Sequence, residues 1–258
     1  MSRPPPLLPA MRRSLRKAGL IWIICSLCIL IEAALQLGDA GLIPLPRLRS
    51  TIYEYAGFWP GLMGPWTPNY PLQPYTMFVS YAFLHGGLLH LVFNMLTLVS
   101  LGLAVIERVG QRGFAILFTA AVLGGAFGYG LLTNAPNPMV GASGGLFGLA
   151  GGILAWNYID RFAAARRLWP VVQAILGLVA LNVILWWLMD GHLAWETHLG
   201  GFVAGWAAAM LIDPRSQKAP NSRDPAHDGP ETATAPFPDP GEDGRKPLAA
   251  QESATKSR

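Results

Sequence analysis

Charge is scarce in this chain: Asp, Glu, Lys and Arg make up only 13% of its 258 residues. Soluble domains carry roughly 25%, so an ordinary water-soluble globule is excluded. Cysteine is nearly absent too, with Cys25 and Cys28 alone, both inside the first apolar run. No further Cys and no nearby His completes a metal site, so the pair reads as small packing residues, with a metal pair as the minor alternative. A small-residue cleavage site is missing after the first run, which argues against a removable signal peptide. No internal repeat is found, which counts against a small-solute transporter built from repeats.

What is present is apolar. Hydrophobic residues make up 52% of the chain, and several runs approach the ~20 residues that cross a bilayer. The excess of positive charge, +4, flanks these runs. It is therefore explained by cytoplasmic loops rather than by nucleic acid.

The first run, residues 19–37, follows Arg12, Arg13, Arg16 and Lys17, and predicts a helix that starts in the cytoplasm. A Pro- and Gly-rich segment, 38–75, precedes further helices expected over 83–106, 114–132, 143–158, 168–189 and 198–212. Loop charge agrees with that layout. Arg108, Arg112, Arg161, Arg166 and Arg167 fall inside, whereas the expected outer loops 133–142 and 190–197 hold no Lys or Arg. The expectation is an all-α membrane protein: a basic N-terminus over 1–18, a six-helix domain over 19–213 and a disordered cytoplasmic tail over 214–258.

In this layout the second, fourth and sixth helices all begin on the outer side. His85, His90 and Asn94 lie near the start of the second, Ser143 at the start of the fourth and His198 at the start of the sixth. Three helices thus deliver polar side chains to one leaflet, and polar groups in lipid are costly and mark a site. His90 and Asn94, one turn apart, share a helix face. His85, at a different spacing, is expected to point elsewhere. From Ser143 to Tyr158 a helix rises roughly 23 Å, short of the ~30 Å hydrocarbon core. The chain before Ser143 is therefore expected to dip inward, under a water-accessible depression. His198, Gly201 and Gly205 share one face, and Gly144, Gly148 and Gly152 repeat at small-xxx-small spacing, which makes these two helices natural partners. Spacing alone leaves open whether Ser143 faces His198.

The chemistry such groups permit is nucleophilic acyl transfer. A serine hydroxyl needs a base within hydrogen-bond reach, and His198 is the candidate base. Asn94, His90 and the backbone N–H groups at the start of the fourth helix are candidate donors to an oxyanion. No Asp or Glu shares their depth, so a Ser–His dyad is the simpler reading. The bland alternative is that Ser143 is merely small, since serine in a glycine-rich membrane helix usually serves packing.

The motifs resemble those of the rhomboid intramembrane serine proteases. "GASG", from Gly141 to Gly144, is similar to that family's G-x-S-G, with Ser143 as nucleophile. "HLGGFVAG", from His198 to Gly205, resembles its H-x-x-G-x-x-x-G, with His198 as base, and "HGGLLHLVFN", from His85 to Asn94, its H-x-x-x-x-H-x-x-x-N. "ERVGQRGF", from Glu107 to Phe114, resembles the turn after the second helix. The likeness covers the six-helix core. It implies oxyanion roles for His90 and Asn94, packing roles for Gly141, Gly144, Gly201 and Gly205, and no cofactor or metal. It further implies cleavage of single-spanning membrane proteins near the outer face of the plasma membrane. One departure is that "PYTMFVSYAFLH" stands where a Trp-Arg pair often ends the first loop. Two other classes use similar composition: a non-catalytic binder of transmembrane helices, and a transporter. Both are expected to give no covalent adduct at Ser143.

Overall fold

The structure is a computed structural model and describes residues 18–133 and 136–212. The expectations for the N-terminal segment and the tail concern residues outside this range, apart from Ala18. Seven α-helices form among the described residues: α1 (Gly19–Asp39), α2 (Leu48–Ala56), α3 (Gln73–Ser80), α4 (Leu88–Leu132), α5 (Ser143–Ala163), α6 (Trp169–Leu188) and α7 (Trp195–Leu211). Among the described residues there is no strand, only an isolated antiparallel bridge between Phe58 and Met139. Three helices among the described residues are long and apolar enough to cross a membrane: α1, α4 and α6. α7 has only 17 residues, and α5 is rich in glycine and carries Asp160 and Arg161.

α4 joins two of the expected helices. Its 45 residues are broken at Gly110, where φ is 73° and ψ is 178°. That backbone conformation is available to glycine and strained for any residue with a Cβ. The two arms, 88–109 and 111–132, therefore meet at a sharp corner. Arg108 fastens it with a bidentate ion pair to Asp160 of α5, at 2.8 and 3.0 Å, and lies over the Trp156 ring.

α5 is the centre of the bundle. Gly144, Gly145, Gly148, Gly151 and Gly152 are buried, as are Leu146, Leu149, Ala155 and Trp156. Such all-round burial suits a helix whose small residues admit neighbours on several sides. α7 is one of those neighbours and lies between α5 and α4. A Cβ at Gly201 would strike the Gly144 backbone, and one at Gly205 the Gly148 backbone. On the next face, Gly200 and Ala204 meet Gly124 and Gly128 of α4. α6 is the opposite case, an apolar helix with Val171 as its single buried residue.

α5 departs from the sequence expectation at its far end. It continues past Tyr158 to Ala163, and its 21 residues rise about 32 Å. Helix length therefore gives no reason for a depression above Ser143. The chain before Ser143 is instead held inward by hydrogen bonds. Phe58 and Met139 exchange backbone bonds at 3.0 and 2.9 Å, and the Gly141 N–H donates to the Tyr81 carbonyl at 3.0 Å. Met139, Gly141 and Ala142 are buried as a result.

The segment between α1 and α4 is anchored through Arg49. Its guanidinium donates to both oxygens of buried Glu32 on α1, at 2.9 and 3.1 Å, and to Asp39 at 2.7 Å. It also donates to the His85 carbonyl at 3.1 Å, and the Tyr53 hydroxyl donates to the same oxygen. The Glu32 hydrogen bonds hold the Arg49 proton more tightly than usual. Burial raises the Tyr53 phenol above its ordinary value, so it stays a neutral donor. This cluster does the anchoring that a Trp-Arg pair would otherwise suggest.

Candidate active site

Ser143 is the first residue of α5, and His198 lies in the first turn of α7. The Gly144–Gly201 contact brings these two helix ends together. The Ser143 Oγ sits 2.9 Å from the His198 Nε2, a normal hydrogen-bond distance. His198 is buried and Ser143 is half-buried. The Phe147 ring, one turn along α5, stacks on the imidazole with centroids 4.1 Å apart and planes 9° from parallel. The other ring nitrogen, Nδ1, lies 2.6 Å from the Asn182 Oδ1 of α6.

A second group gathers beside Ser143. Gly141, with φ of 129°, has no Cβ. One built there would stand 3.0 Å from the His90 Nε2 and 3.8 Å from the Asn94 Nδ2. Gly141 thus needs glycine twice, for its backbone conformation and for the close approach of His90. Asn94 is buried, and among the described residues its Nδ2 donor has no hydrogen-bond partner. A buried donor left without one is costly and is available to an incoming acceptor. The first-turn N–H groups of α5 have no side-chain cap and no intrahelical acceptor. They add the positive end of the helix dipole.

His85 corrects the sequence expectation. It precedes the first residue of α4, so helical spacing does not govern it. Its buried ring packs edge-on against His90 with centroids 5.2 Å apart. The hydrogen bonds from Arg49 and Tyr53 to its carbonyl hold it there.

Two residues in contact with His198 escaped the sequence reading. Asn182 had a detectable signal, being an amide in the middle of the apolar run "LGLVALNVILWW". Phe147 had none, because an aromatic one turn after Ser143 looks like any core residue. Glu32, a carboxylate within the first apolar run, was the corresponding signal for the Arg49 anchor. Among the described residues, no three His, Cys, Asp or Glu side chains cluster closely enough to hold a metal ion. Cys25 and Cys28 are both buried and unbridged.

A helical, apolar chain of this kind is an integral membrane protein, and its site pairs a serine hydroxyl with a buried imidazole. The chain belongs to the rhomboid family: the Rhomboid domain matches residues 72–215, more than half of its length. It is similar to RHOMBOID-like protein 4 of Arabidopsis thaliana, with 33% identity over 131 residues, or 50% of this chain and 32% of that protein. It is also similar to the rhomboid protease GluP of Bacillus subtilis, with 30% identity over 129 residues, or 50% of this chain and 24% of that one. Rhomboid-like protease 3 of Toxoplasma gondii is 30% identical over 144 residues, covering 54% and 52% of the two chains. The matched region spans between a quarter and about half of these relatives.

Proposed function

We propose that this chain is an intramembrane serine endopeptidase working through a Ser143–His198 dyad. The observation that carries the reading is the 2.9 Å contact between Ser143 Oγ and His198 Nε2. His198 takes the hydroxyl proton as Oγ attacks the carbonyl carbon of the scissile bond. The oxyanion of the tetrahedral intermediate accepts hydrogen bonds from Asn94, His90 and backbone N–H groups at the start of α5. His198 then passes its proton to the leaving nitrogen, and an acyl-enzyme remains on Ser143. Water, deprotonated by the same imidazole, hydrolyses that ester and returns the serine. No step calls for a metal or organic cofactor.

The membrane domain is residues 19–213, with six spans: α1, the two arms of α4, α5, α6 and α7. The Gly110 corner supports counting α4 as two crossings. The distribution of arginine supports cytoplasmic termini, with Ser143 and His198 towards the outer face, and the membrane proposed is the plasma membrane. Substrates are single-spanning membrane proteins whose helix unwinds near that face, because a helical segment protects its own amides. The family membership and the similarity to named rhomboid proteases support this class of activity.

The test is labelling of the detergent-solubilised chain with a fluorophosphonate, alongside cleavage of a single-spanning test substrate. Labelling and cleavage that both vanish in Ser143→Ala are expected. A wild-type chain that neither labels nor cleaves, or a Ser143→Ala chain that cleaves at the wild-type rate, refutes the proposal.

A further inference from the structure

Asn182 stands out on its own helix. Beyond Gln173 in its second turn, α6 is apolar apart from Asn182, and its one buried residue, Val171, lies near its start. An amide in such a segment is costly unless its donor and acceptor are both engaged. Here both are. The Asn182 Nδ2 donates to the Leu178 carbonyl one turn back, at 3.2 Å. That bond identifies which end of the amide is nitrogen, and so leaves Oδ1 facing His198 Nδ1 at 2.6 Å.

An amide oxygen can only accept a hydrogen bond. His198 Nδ1 must therefore carry a proton. A neutral imidazole has one N–H, so Nε2 is left with a free lone pair. Nε2 is the atom 2.9 Å from Ser143 Oγ, and a general base there requires that lone pair. Phe147 constrains the plane of the ring by stacking, but a ring face cannot choose between the two nitrogens. Among the described residues, the Asn182 contact is the one that makes that choice.

We propose that Asn182 is a positioning residue that fixes the Nδ1–H tautomer of His198 and so keeps Nε2 ready as the base. The inference rests on the dyad reading and completes it with a third group supplied by α6. Once His198 has taken the serine proton, the same Oδ1 still accepts from Nδ1–H and helps hold the imidazolium. A neutral amide does this more weakly than the carboxylate of a Ser-His-Asp triad, where a wrong tautomer costs about 10⁴ in kcat. Loss of Asn182 is accordingly expected to lower kcat by roughly 10- to 100-fold.

The experiment uses the full chain in detergent micelles, labelled with ¹⁵N-histidine. Long-range ¹H–¹⁵N correlation at neutral pH reads the tautomer of each ring, and a His198→Ala spectrum assigns the His198 signals. Wild type is expected to show His198 protonated at Nδ1. Asn182→Leu, close in volume but without an acceptor, is expected to lose that preference, with kcat reduced and KM little changed. Asn182→Asp, which restores an acceptor at the same place, is expected to recover the Nδ1 proton and much of the rate. A wild-type His198 protonated at Nε2, or an Nδ1 proton that persists unchanged in Asn182→Leu, overturns the proposal. The tautomer is read without any turnover, so failure of the protease reading is seen separately, as a wild-type chain with the expected tautomer that cleaves nothing.

Discussion

A single methyl group at Gly201 is expected to disable the site without touching a reacting atom. A Cβ there would lie 2.7 Å from the Gly144 carbonyl carbon and 3.1 Å from its Cα, with the carbonyl oxygen nearer still. Carbon atoms in good contact stand about 3.5–4.0 Å apart, so α5 and α7 must separate by roughly 1 Å. Gly201 is one turn from His198, and Gly144 adjoins Ser143. The same movement therefore opens the hydrogen bond of 2.9 Å between them. Misplacing a catalytic group by about 1 Å can cost about 10² in rate, and overpacking costs about 1–3 kcal/mol of stability. Gly201→Ala should accordingly cut kcat by about 10² and lower the Tm. Gly177→Ala on α6 is the control, since a Cβ there meets nothing within 4 Å; its rate and Tm should match wild type. The measurements are substrate cleavage and thermal unfolding on the same detergent preparations. A Gly201→Ala chain with wild-type rate and wild-type Tm would show that this contact does not set the dyad.

Ser143→Ala should abolish cleavage while the Tm stays near wild type, because it removes chemistry and little packing. His198→Ala should abolish cleavage too but lower the Tm, since the buried imidazole stacks on Phe147 and bonds Asn182; full activity in either would end the dyad reading. Asn94→Ala should lower kcat by roughly 10²–10³ with KM and Tm nearly unchanged. An Asn94→Ala loss explained wholly by unfolding would make this residue a structural bridge instead. Arg49→Met leaves the buried Glu32 carboxylate, 1% exposed, without its cation and with a hydrogen bond from Gln36, and breaking such a pair costs up to about 3–5 kcal/mol. A marked drop in Tm is expected, with partial recovery when Glu32→Gln is added; an unchanged Tm would show that the first connecting segment is held by other contacts.

Much of the architecture was legible because membrane helices announce themselves locally. The apolar run beginning at Gly19 became α1, and the start expected at Ser143 is the first residue of α5. The far end of α5 lies beyond Tyr158, an aromatic residue of the kind enriched at interfaces. The helix runs on because nothing there breaks it, and Arg161 near its end favours the helix dipole. His85 departs from helical spacing for a related reason: it precedes the first residue of α4, and tertiary hydrogen bonds to its carbonyl set its position.

The sequence by itself determined what depends on neighbours along the chain: apolar length, the helix start at Ser143, the break between the second and third expected helices, and the small-residue faces of α5 and α7. It also named Ser143, His198, His90 and Asn94, because polar groups stand out against an apolar background. Only the tertiary structure decided that Ser143 meets His198 across 55 positions of chain. It likewise decided that Asn182 of α6 completes the imidazole's hydrogen bonds, and that Arg49 ties α1 to the His85 backbone. Those pairings depend on how far each helix is rotated and how closely it approaches its neighbours. Both are set by contacts among several helices at once, which no periodicity within a single helix contains.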